Sequence, residues 1–421
     1  MLKLKRSNYI IISFCILITL ISFILSFVFN EDSLGSAYLD YKFHEELFFK
    51  FGDDFNKTIL EYGNENKARN SPIFYIIVSQ LLNLGFEIKY LKYLNVIFVI
   101  GIMFFFLKSL EVNYQNIRID TKILFLCALI LSPTIRSLTI HPYPLLWAIN
   151  FFIISIYFYL KFLKPEKKII KFINAFLSII NLSIASYFTP NFAVFILFYF
   201  IKFFSEFRFS LRMLILSLFT FLMSLPALTF LIWKDFYFFQ NSGYDITSFE
   251  KLNIANKLII ISSIIFLFIL PAIKFIKKDV KSFYPLSFEF LLIVFVFFIS
   301  IHFFDFKSGA GGGVFFQLSN LIFGNNYFLF LIFFITLFIF YLSKIYNFDN
   351  IIIFLILILY NLQYTIYYKY FDPILLFILL FFVKFNKNIY DINCLGKRYY
   401  IFYLIFLIVN LYKNQLKIIL I

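Results

Sequence analysis

Long runs of apolar residues recur along the whole chain and constrain its fold more than any other feature. The first run covers residues 9–29, and others follow as far as the C-terminus. A membrane-spanning helix needs ~20 consecutive apolar residues, whereas the strands of an outer-membrane barrel alternate with a period of two. The chain is 62% hydrophobic, against about 45–50% for soluble domains. The sequence therefore predicts an all-α, polytopic transmembrane helical bundle.

The apolar runs predict about 12–13 spans in a single membrane domain, residues 1–421. The domain divides into a long first loop (30–90), central spans (91–273) and C-terminal spans (274–421). The candidate spans are residues 9–29, 91–108, 122–138, 144–163, 172–188, 190–204, 213–231, 256–273, 286–303, 325–343, 350–366, 373–386 and 399–412.

The basic residues predict the orientation of the bundle. The net charge is +15, and Lys3, Lys5 and Arg6 precede the first run. Lys and Arg are enriched in cytoplasmic loops of membrane proteins. Residues 73–86 are apolar over too short a length to span, and a re-entrant or interfacial helix suits them better. We therefore expect a multi-pass protein of the cell (inner) membrane with a cytoplasmic N-terminus, and no nucleic-acid partner.

The first loop, predicted to be extracytoplasmic, contains a cluster of ionisable residues in "AYLDYKFHEELFFKF", residues 37–51. Asp40 and His44 are four residues apart, so they share one face if the stretch is helical. Glu45 lies one step round the helix. A carboxylate beside an imidazole predicts a general base, or a ligand for a metal ion or a hydroxyl group.

The same stretch has a second interpretation as a solvated amphipathic helix. Phe43, Leu47 and Phe51 would form its apolar side and lie along the membrane surface. Lys42 would then pair with Glu46 across one turn. Both interpretations predict a helix, and they differ in whether its polar groups contact a substrate.

The loop continues into "ARNSPIFYII", residues 68–77. Pro72 suits the first position of a helix, and Ser71 suits the capping position before it. Arg69 precedes this short helix and can bind a phosphate or a carboxylate, or contact a lipid headgroup.

Later segments supply further candidates for substrate binding. Arg136 lies near the outer end of a predicted span, where a charge is costly unless paired or solvated; it contacts either a substrate or lipid headgroups. His141 follows it and contacts either a substrate or its own loop. Lys369 and Asp372 lie in the last predicted external turn, "YYKYFDP" (367–373), and bind an anionic substrate or pair with each other.

Several kinds of site are absent from the sequence. "GAGGG" (309–313), in the predicted external loop 304–326, has no preceding strand and no following lysine, so it is a gate or a hinge and not a nucleotide-binding loop. No cluster of His and Cys residues has metal-ligand spacing. We therefore predict no cofactor; a divalent cation would suit the chemistry, but no ligand cluster indicates one.

The order of these elements resembles the GT-C superfamily of integral-membrane glycosyltransferases. "YLDYKFHEELFF" is similar to the Asp-containing first-loop motif of the dolichyl-phosphate-glucose α-1,2-glucosyltransferases, and "ARNSPIFYII" resembles the proline-led helix of the superfamily. "YYKYFDP" resembles their late basic-aromatic motif. Tyr41 stands where the eukaryotic enzymes carry a second acidic residue, and Asn70-Ser71 replaces the first proline, so the resemblance leaves donor and acceptor open.

The resemblance implies an enzyme that transfers a sugar from a polyprenyl-phosphate-linked donor to an extracytoplasmic glycan, lipid or protein. Asp40 would deprotonate the acceptor hydroxyl as it attacks the anomeric carbon. Lys369 or Arg69 would stabilise the charge that develops on the leaving phosphate. His44 and Glu45 would position sugar hydroxyls, and the bilayer would hold the donor.

Three other classes of protein stay open at this point, among them a purely structural membrane protein. A transporter or flippase of polysaccharide or lipid would have charges within its spans, discontinuous helices and an internal repeat. The sequence has few charges within its spans and no convincing repeat. An O-antigen polymerase or ligase also acts on a lipid carrier outside the cytoplasm. Such enzymes usually have their large loop late in the chain, whereas the long loop here comes first.

Overall fold

The computed structural model describes residues 6–63, 70–237, 253–273, 287–307, 311–342, 347–361, 363–384 and 392–420, and the regular structure in these ranges is helical. The chain forms two compact units. Unit 1 comprises Met1–Phe230 and Ile392–Ile421, and unit 2 comprises Leu231–Asp391. The predicted all-α class is confirmed for the described residues.

Unit 1 contains the N-terminal helices and the last helix of the chain. Its helices are α1 (Arg6–Val28), α2 (Ala37–Asp53), α3 (Phe55–Glu61), α4 (Ile73–Asn83), α5 (Leu91–Asn113), α6 (Ile119–Ile130), α7 (Pro133–Ile140), α8 (Pro144–Phe162), α9 (Lys168–Phe188), α10 (Phe195–Phe207), most of α11 (Leu211–Trp233), and α18 (Ile392–Leu420).

Unit 2 is built around α12, whose apolar residues are nearly all buried. Its helices are α12 (Ile254–Ile269), α13 (Phe288–His302), α14 (Gly313–Leu318), α15 (Tyr327–Leu342), α16 (Phe348–Tyr360) and α17 (Ile374–Phe381). A short 3₁₀-helix, Tyr368–Tyr370, precedes α17.

Eight helices in the described part of the chain are long and apolar enough to cross a membrane. They are Tyr9–Val28, Ile88–Asn113, Pro144–Phe162, Lys168–Phe188, Pro190–Phe207, Leu211–Trp233, Ile254–Ile273 and Ile392–Tyr412. The chain is therefore a multi-pass membrane protein, as the apolar runs predicted. Predicted spans that correspond to α13, α15, α16 and α17 coincide with helices of 15, 16, 13 and 8 residues, so their crossing stays a prediction.

The predicted span at 122–138 is not one straight helix. α6 and α7 meet at an angle of 55° and together would make a ninth span. The break follows from the local sequence, because Pro133 has no N–H for the helical ladder. Ser132 instead starts α7, and its Oγ accepts a hydrogen bond from the Ile135 N–H at 3.2 Å.

Two glycines allow helices of unit 1 to approach closely. A Cβ atom on Gly101 of α5 would lie 2.5 Å from Oδ1 of Asn150 in α8. A Cβ atom on Gly396 of α18 would lie 2.9 Å from the Thr121 carbonyl oxygen of α6. A larger side chain at Gly396 would push α18 away from the α6 backbone, whereas one at Gly101 would displace the Asn150 side chain.

The described part of "GAGGG" is a tight turn within unit 2. Gly311, Gly312 and Gly313 all have positive φ angles, +80°, +77° and +75°, which side chains with a Cβ rarely adopt. The Gly312 N–H donates to the Ile366 carbonyl oxygen at 2.9 Å. A Cβ atom on Gly311 would lie 2.8 Å from the Ile366 carbonyl oxygen, and one on Gly313 would lie 3.0 Å from the Ile264 side chain of α12. The turn therefore packs closely onto the segment that leads to the 3₁₀-helix and onto α12.

The segment between α1 and α2 is fixed onto α7, and this positions α2. Ser33 Oγ donates to the Pro133 carbonyl oxygen at 3.0 Å and shares a hydrogen bond of 2.9 Å with Ser137 Oγ. The carboxylate of Asp32 accepts the N–H groups of Gly35 and Tyr38, at 2.8 and 3.1 Å. The start of α2 is thus tied to the end of the bent helix pair.

Candidate functional site

Helix α2 carries the predicted acidic cluster, and the predicted helix is confirmed. Its buried residues, listed along the helix, are Ala37, His44, Leu47, Phe48 and Phe51. Leu47 and Phe51 belong to the predicted apolar side, but Phe43 is 37% exposed. The buried side of α2 packs against α4, the short helix led by Pro72. Two of the three stretches that carry the family resemblance are therefore neighbours.

His44 is the centre of a hydrogen-bonded cluster between α2 and α4. Its side chain is only 3% exposed, and Nδ1 lies 2.8 Å from the Tyr75 hydroxyl. The side-chain amide of Asn70 donates to the same hydroxyl at 3.4 Å, and the backbone carbonyl oxygen of Asn70 accepts from Tyr62 Oη at 2.8 Å. The ring of Tyr143 packs edge-on against His44, with centroids 4.6 Å apart. These contacts fix the orientation of the imidazole ring.

Asp40 lies in the first turn of α2, one turn before His44, and is half-buried. Glu45 follows on the same helix and accepts hydrogen bonds from Tyr41 Oη at 2.9 Å and Lys42 Nζ at 3.1 Å. The prediction that Lys42 pairs with Glu46 is therefore wrong, because the side chain reaches the carboxylate three residues on. Burial, followed by the hydrogen bond to Glu45, raises the pKa of Tyr41.

His141 lies in the turn between α7 and α8 and contacts the outer side of α2. Its ring centroid is 5.7 Å from that of Tyr38 and 6.0 Å from that of Tyr41. The residue is 5% exposed, and Nε2 has no hydrogen-bond partner among the residues that the structure describes. Burial lowers the pKa of His141; Asp32 raises it and Lys92 lowers it further by charge interactions.

Lys92, in the first turn of α5, is a basic residue near His141 that the sequence did not single out. Its ammonium group donates to Asn30 Oδ1 at 2.5 Å, and its charge acts on the His141 ring. Asn30 is a neutral partner, and its backbone also hydrogen-bonds with His141. An anion that approached His141 would therefore meet the positive charge of Lys92 and also the negative charge of Asp32, whose effect on the His141 pKa is the larger of the two.

Arg136 is buried inside unit 1 and its hydrogen bonds are directed at protein groups. The side chain is 2% exposed. Nε donates to Glu31 Oε1 at 2.9 Å, and Nη2 donates to Oε2 of the same carboxylate. Nη1 and Nη2 also donate to Ser22, to its hydroxyl at 3.1 Å and its carbonyl oxygen at 2.8 Å. This geometry indicates a structural ion pair, and substrate binding by Arg136 stays a prediction.

The remaining candidates lie elsewhere. Arg69 is outside the residues that the structure describes. Lys369 and Asp372 belong to unit 2 and are 7% and 0% exposed. Lys369 Nζ lies over the rings of Tyr367 and Tyr370, 5.5 and 5.6 Å from their centroids. Both charges are thus buried among aromatic residues within unit 2, and their contact with a substrate stays a prediction.

In unit 1 the structure brings together Asp40, His44 and Glu45 on one helix, with His141 beside it. The sequence did not identify Tyr75, Tyr143 or Lys92 as members of this cluster. A tyrosine inside an otherwise apolar helix, as in "IFYII", was the available signal for the first of them. Its partner could not be inferred, because the contact depends on how α4 packs against α2.

The cluster offers a carboxylate, an oriented imidazole and a lysine ammonium group to a polar molecule. A carboxylate can accept a proton from a hydroxyl group, and an imidazole can donate or accept a hydrogen bond. Within the described ranges, His, Cys, Asp and Glu form no group of three or more that could hold a metal ion.

Comparison of the chain with protein-family models, with curated proteins and with solved structures finds no match in any of the three. The activity must therefore be argued from the chemistry of the site and from the sequence resemblance.

Proposed function

We propose that the protein is a membrane glycosyltransferase that takes a sugar from a polyprenyl-phosphate-linked donor. The observation that carries the proposal is the contact between His44 of α2 and Tyr75 of α4, 2.8 Å between Nδ1 and Oη. Two of the three segments whose sequences resemble the GT-C motifs come together at that hydrogen bond. Asp40, the acidic residue of the first motif, lies one turn away on the same helix.

Asp40 acts as the general base in this proposal. Its carboxylate takes the proton of an acceptor hydroxyl while the hydroxyl oxygen bonds to the anomeric carbon of the donor sugar. The bond between that carbon and the phosphate oxygen breaks, and the electron pair leaves with the lipid phosphate. General-base catalysis of this kind contributes about 10²–10⁴-fold to a rate.

His44 and Glu45 orient the substrates. Tyr75 and Tyr143 hold the His44 ring in one position. The Glu45 carboxylate is fixed by Tyr41 and retains acceptor capacity, because a carboxylate has about four lone-pair sites. Hydrogen bonds from fixed groups to sugar hydroxyls would select one sugar orientation.

The leaving phosphate needs positive charge or hydrogen-bond donors. In unit 1, Lys92 supplies an ammonium group and His141 supplies a ring nitrogen at the same place. We assign these two residues to the phosphate, and the roles that the sequence resemblance gives to Arg69 and Lys369 stay predictions. The acceptor is a glycan, a lipid or a protein on the extracytoplasmic side.

The test compares two acidic residues of α2, the half-buried Asp40 and the exposed Glu46. Membranes with the wild-type chain, D40N or E46Q receive a radiolabelled polyprenyl-phosphate sugar and an acceptor extract. Glu46 is exposed on the same helix, and its substitution removes the same charge. We expect D40N to lose about 100-fold or more of the transfer rate, with E46Q close to wild type.

Equal amounts of folded protein are verified by fluorescence-detected gel filtration before rates are compared. A folded D40N variant that transfers sugar at the wild-type rate would exclude Asp40 as the base. If wild-type vesicles move the labelled lipid across the bilayer and transfer no sugar to any acceptor, the protein is a transporter and not a transferase.

A further inference from the structure

Two turns of unit 1 lie side by side and form one surface, called here the basic turn surface. It comprises residues 161–171, between α8 and α9, and residues 202–212, between α10 and α11. Lys171 and Glu206 form an ion pair across the two turns, with Nζ 2.9 Å from Oε2. Aromatic rings from both turns are also in contact beneath this pair. The turns therefore present their charges together.

The basic turn surface has a large excess of positive charge. It contains eight basic and two acidic residues, so its net charge is +6. The basic residues are Lys161, Lys164, Lys167, Lys168, Lys171, Lys202, Arg208 and Arg212, and the acidic residues are Glu166 and Glu206. Since Glu206 is already engaged with Lys171, little negative charge remains to balance the other basic groups.

Large apolar side chains stand exposed among these charges. Phe209 is 97% exposed and lies between Arg208 and Ser210. Arg208, which follows α10, has a positive φ of 47°. Leu163 and Leu211 are also exposed. Apolar side chains interleaved with lysine and arginine are typical of a surface at the boundary between lipid and water.

The position of the surface in the fold favours a membrane over a soluble partner. α8, α9, α10 with its preceding 3₁₀ turn, and α11 are all among the helices able to cross a bilayer. The turns at their ends must then lie near lipid headgroups. Basic residues at that depth are attracted to anionic lipids, and an exposed phenylalanine is more stable in the lipid interface than in water.

We propose that the basic turn surface binds the headgroups of anionic lipids, with Phe209 inserted among the lipid chains. The exposed lysines of the first turn contact the lipid phosphates, and Arg208 and Arg212 do so from the second turn. This proposal is independent of the transferase activity, because no residue of the α2 cluster belongs to the surface.

The test measures lipid binding to the full chain in an uncharged detergent. Phosphatidylglycerol and phosphatidylcholine are titrated separately, and bound lipids are counted by native mass spectrometry. We expect wild-type protein to prefer phosphatidylglycerol, and K164Q/K167Q/K168Q to lose about tenfold or more of that affinity. F209S should bind both lipids more weakly and keep the preference.

A matched variant, K50Q/K57Q/K89Q, removes three lysines from the first loop. Lys57 and Lys89 form ion pairs with neighbouring glutamates, so their local charge is nearly balanced, and lipid preference should be retained. Equal thermal midpoints in phosphatidylcholine show that each variant is folded. Unchanged affinity in the first triple variant, or an equal loss in the matched one, would overturn the proposal. If soluble poly-glutamate binds equally tightly through the same lysines, the ligand of this surface is an acidic protein and not a lipid.

Discussion

The two ends of helix α8 carry ionisable residues in opposite arrangements. Near its N-terminus, charged and titratable groups are buried and have specific partners, as in the ion pair of Arg136 with Glu31 and the hydrogen bond of His44 with Tyr75. Near its C-terminus, the basic turn surface carries a net charge of +6, and its eight basic residues are exposed or half-buried.

The physical reason for the difference is the cost of removing a charge from water. A buried charge costs several kcal/mol unless a partner compensates it. An exposed lysine keeps its hydration, and salt screens its interactions beyond about 10 Å. Charges near the N-terminus of α8 can therefore hold a fixed geometry, and charges near its C-terminus can attract a mobile anionic surface.

The largest expected effect comes from the buried ion pair. R136Q leaves the Glu31 carboxylate in a protein interior without its bidentate partner. We expect a loss of about 3–5 kcal/mol of unfolding free energy, measured by denaturation in mixed detergent micelles. K89Q breaks an exposed pair, Lys89 with Glu87, and should cost less than about 1 kcal/mol.

A double variant sharpens this result. E31Q/R136M removes both charges and should be more stable than R136Q alone, because no unpaired carboxylate remains. If R136Q and K89Q cost the same, burial does not set the cost of losing an ion pair in unit 1.

A smaller loss is expected at the hydrogen bond between α2 and α4. Y75F removes the hydroxyl that contacts His44 Nδ1 and leaves a buried ring nitrogen, at a cost of about 1–2 kcal/mol. Tyr93 is 65% exposed, and Y93F is the matched control, with an expected change below about 0.5 kcal/mol. A double-mutant cycle of Y75F with H44Q would show whether the stability losses of the two single variants come from one interaction.

The pH dependence of stability tests the burial of His141. Its pKa is lowered from the ordinary 6.5, mainly by burial, so the unfolded chain binds a proton at a pH where the folded chain does not. Stability should therefore be complete above about pH 7 and fall as the pH drops below 6.5, by no more than about 1.4 kcal/mol per pH unit.

Thermal midpoints between pH 5 and 8 measure this slope, with about 1 unit between points. H141Q should flatten the curve. His302 is exposed in unit 2, so H302Q should leave the slope as in wild type. A wild-type slope in H141Q would show that another group titrates.

The smallest effect on stability is expected at the basic turn surface. Lys164 is not engaged in any ion pair that the described residues show, so K164Q should change the unfolding free energy by less than about 0.5 kcal/mol in uncharged detergent. In bilayers that contain phosphatidylglycerol the same variant should be less stable than wild type, because it loses an attractive contact. If K164Q is as stable as wild type both in uncharged detergent and in these bilayers, the contrast between the two ends of α8 is not supported.

Much of the site could be predicted from local sequence patterns. The helix over residues 37–51 followed from the spacing of its apolar residues, and the short helix after Pro72 from the proline and its length. Ion pairs within one helix were harder to predict. Lys42 pairs with Glu45 and not with the next residue, Glu46. The bend at Pro133 was missed, although proline is the usual cause of such a break.

The sequence by itself determined that this protein is helical and crosses the membrane several times. In lipid, every backbone N–H and C=O must be satisfied within the protein, so only helices and closed barrels span the bilayer. Long apolar runs without period-two alternation favour the helix. Only the tertiary structure decided which ionisable groups meet. Glu31 and Arg136 are 105 residues apart in the chain, and His44 is 31 residues from Tyr75. Such pairs depend on how helices pack, because no local pattern encodes a partner at that distance.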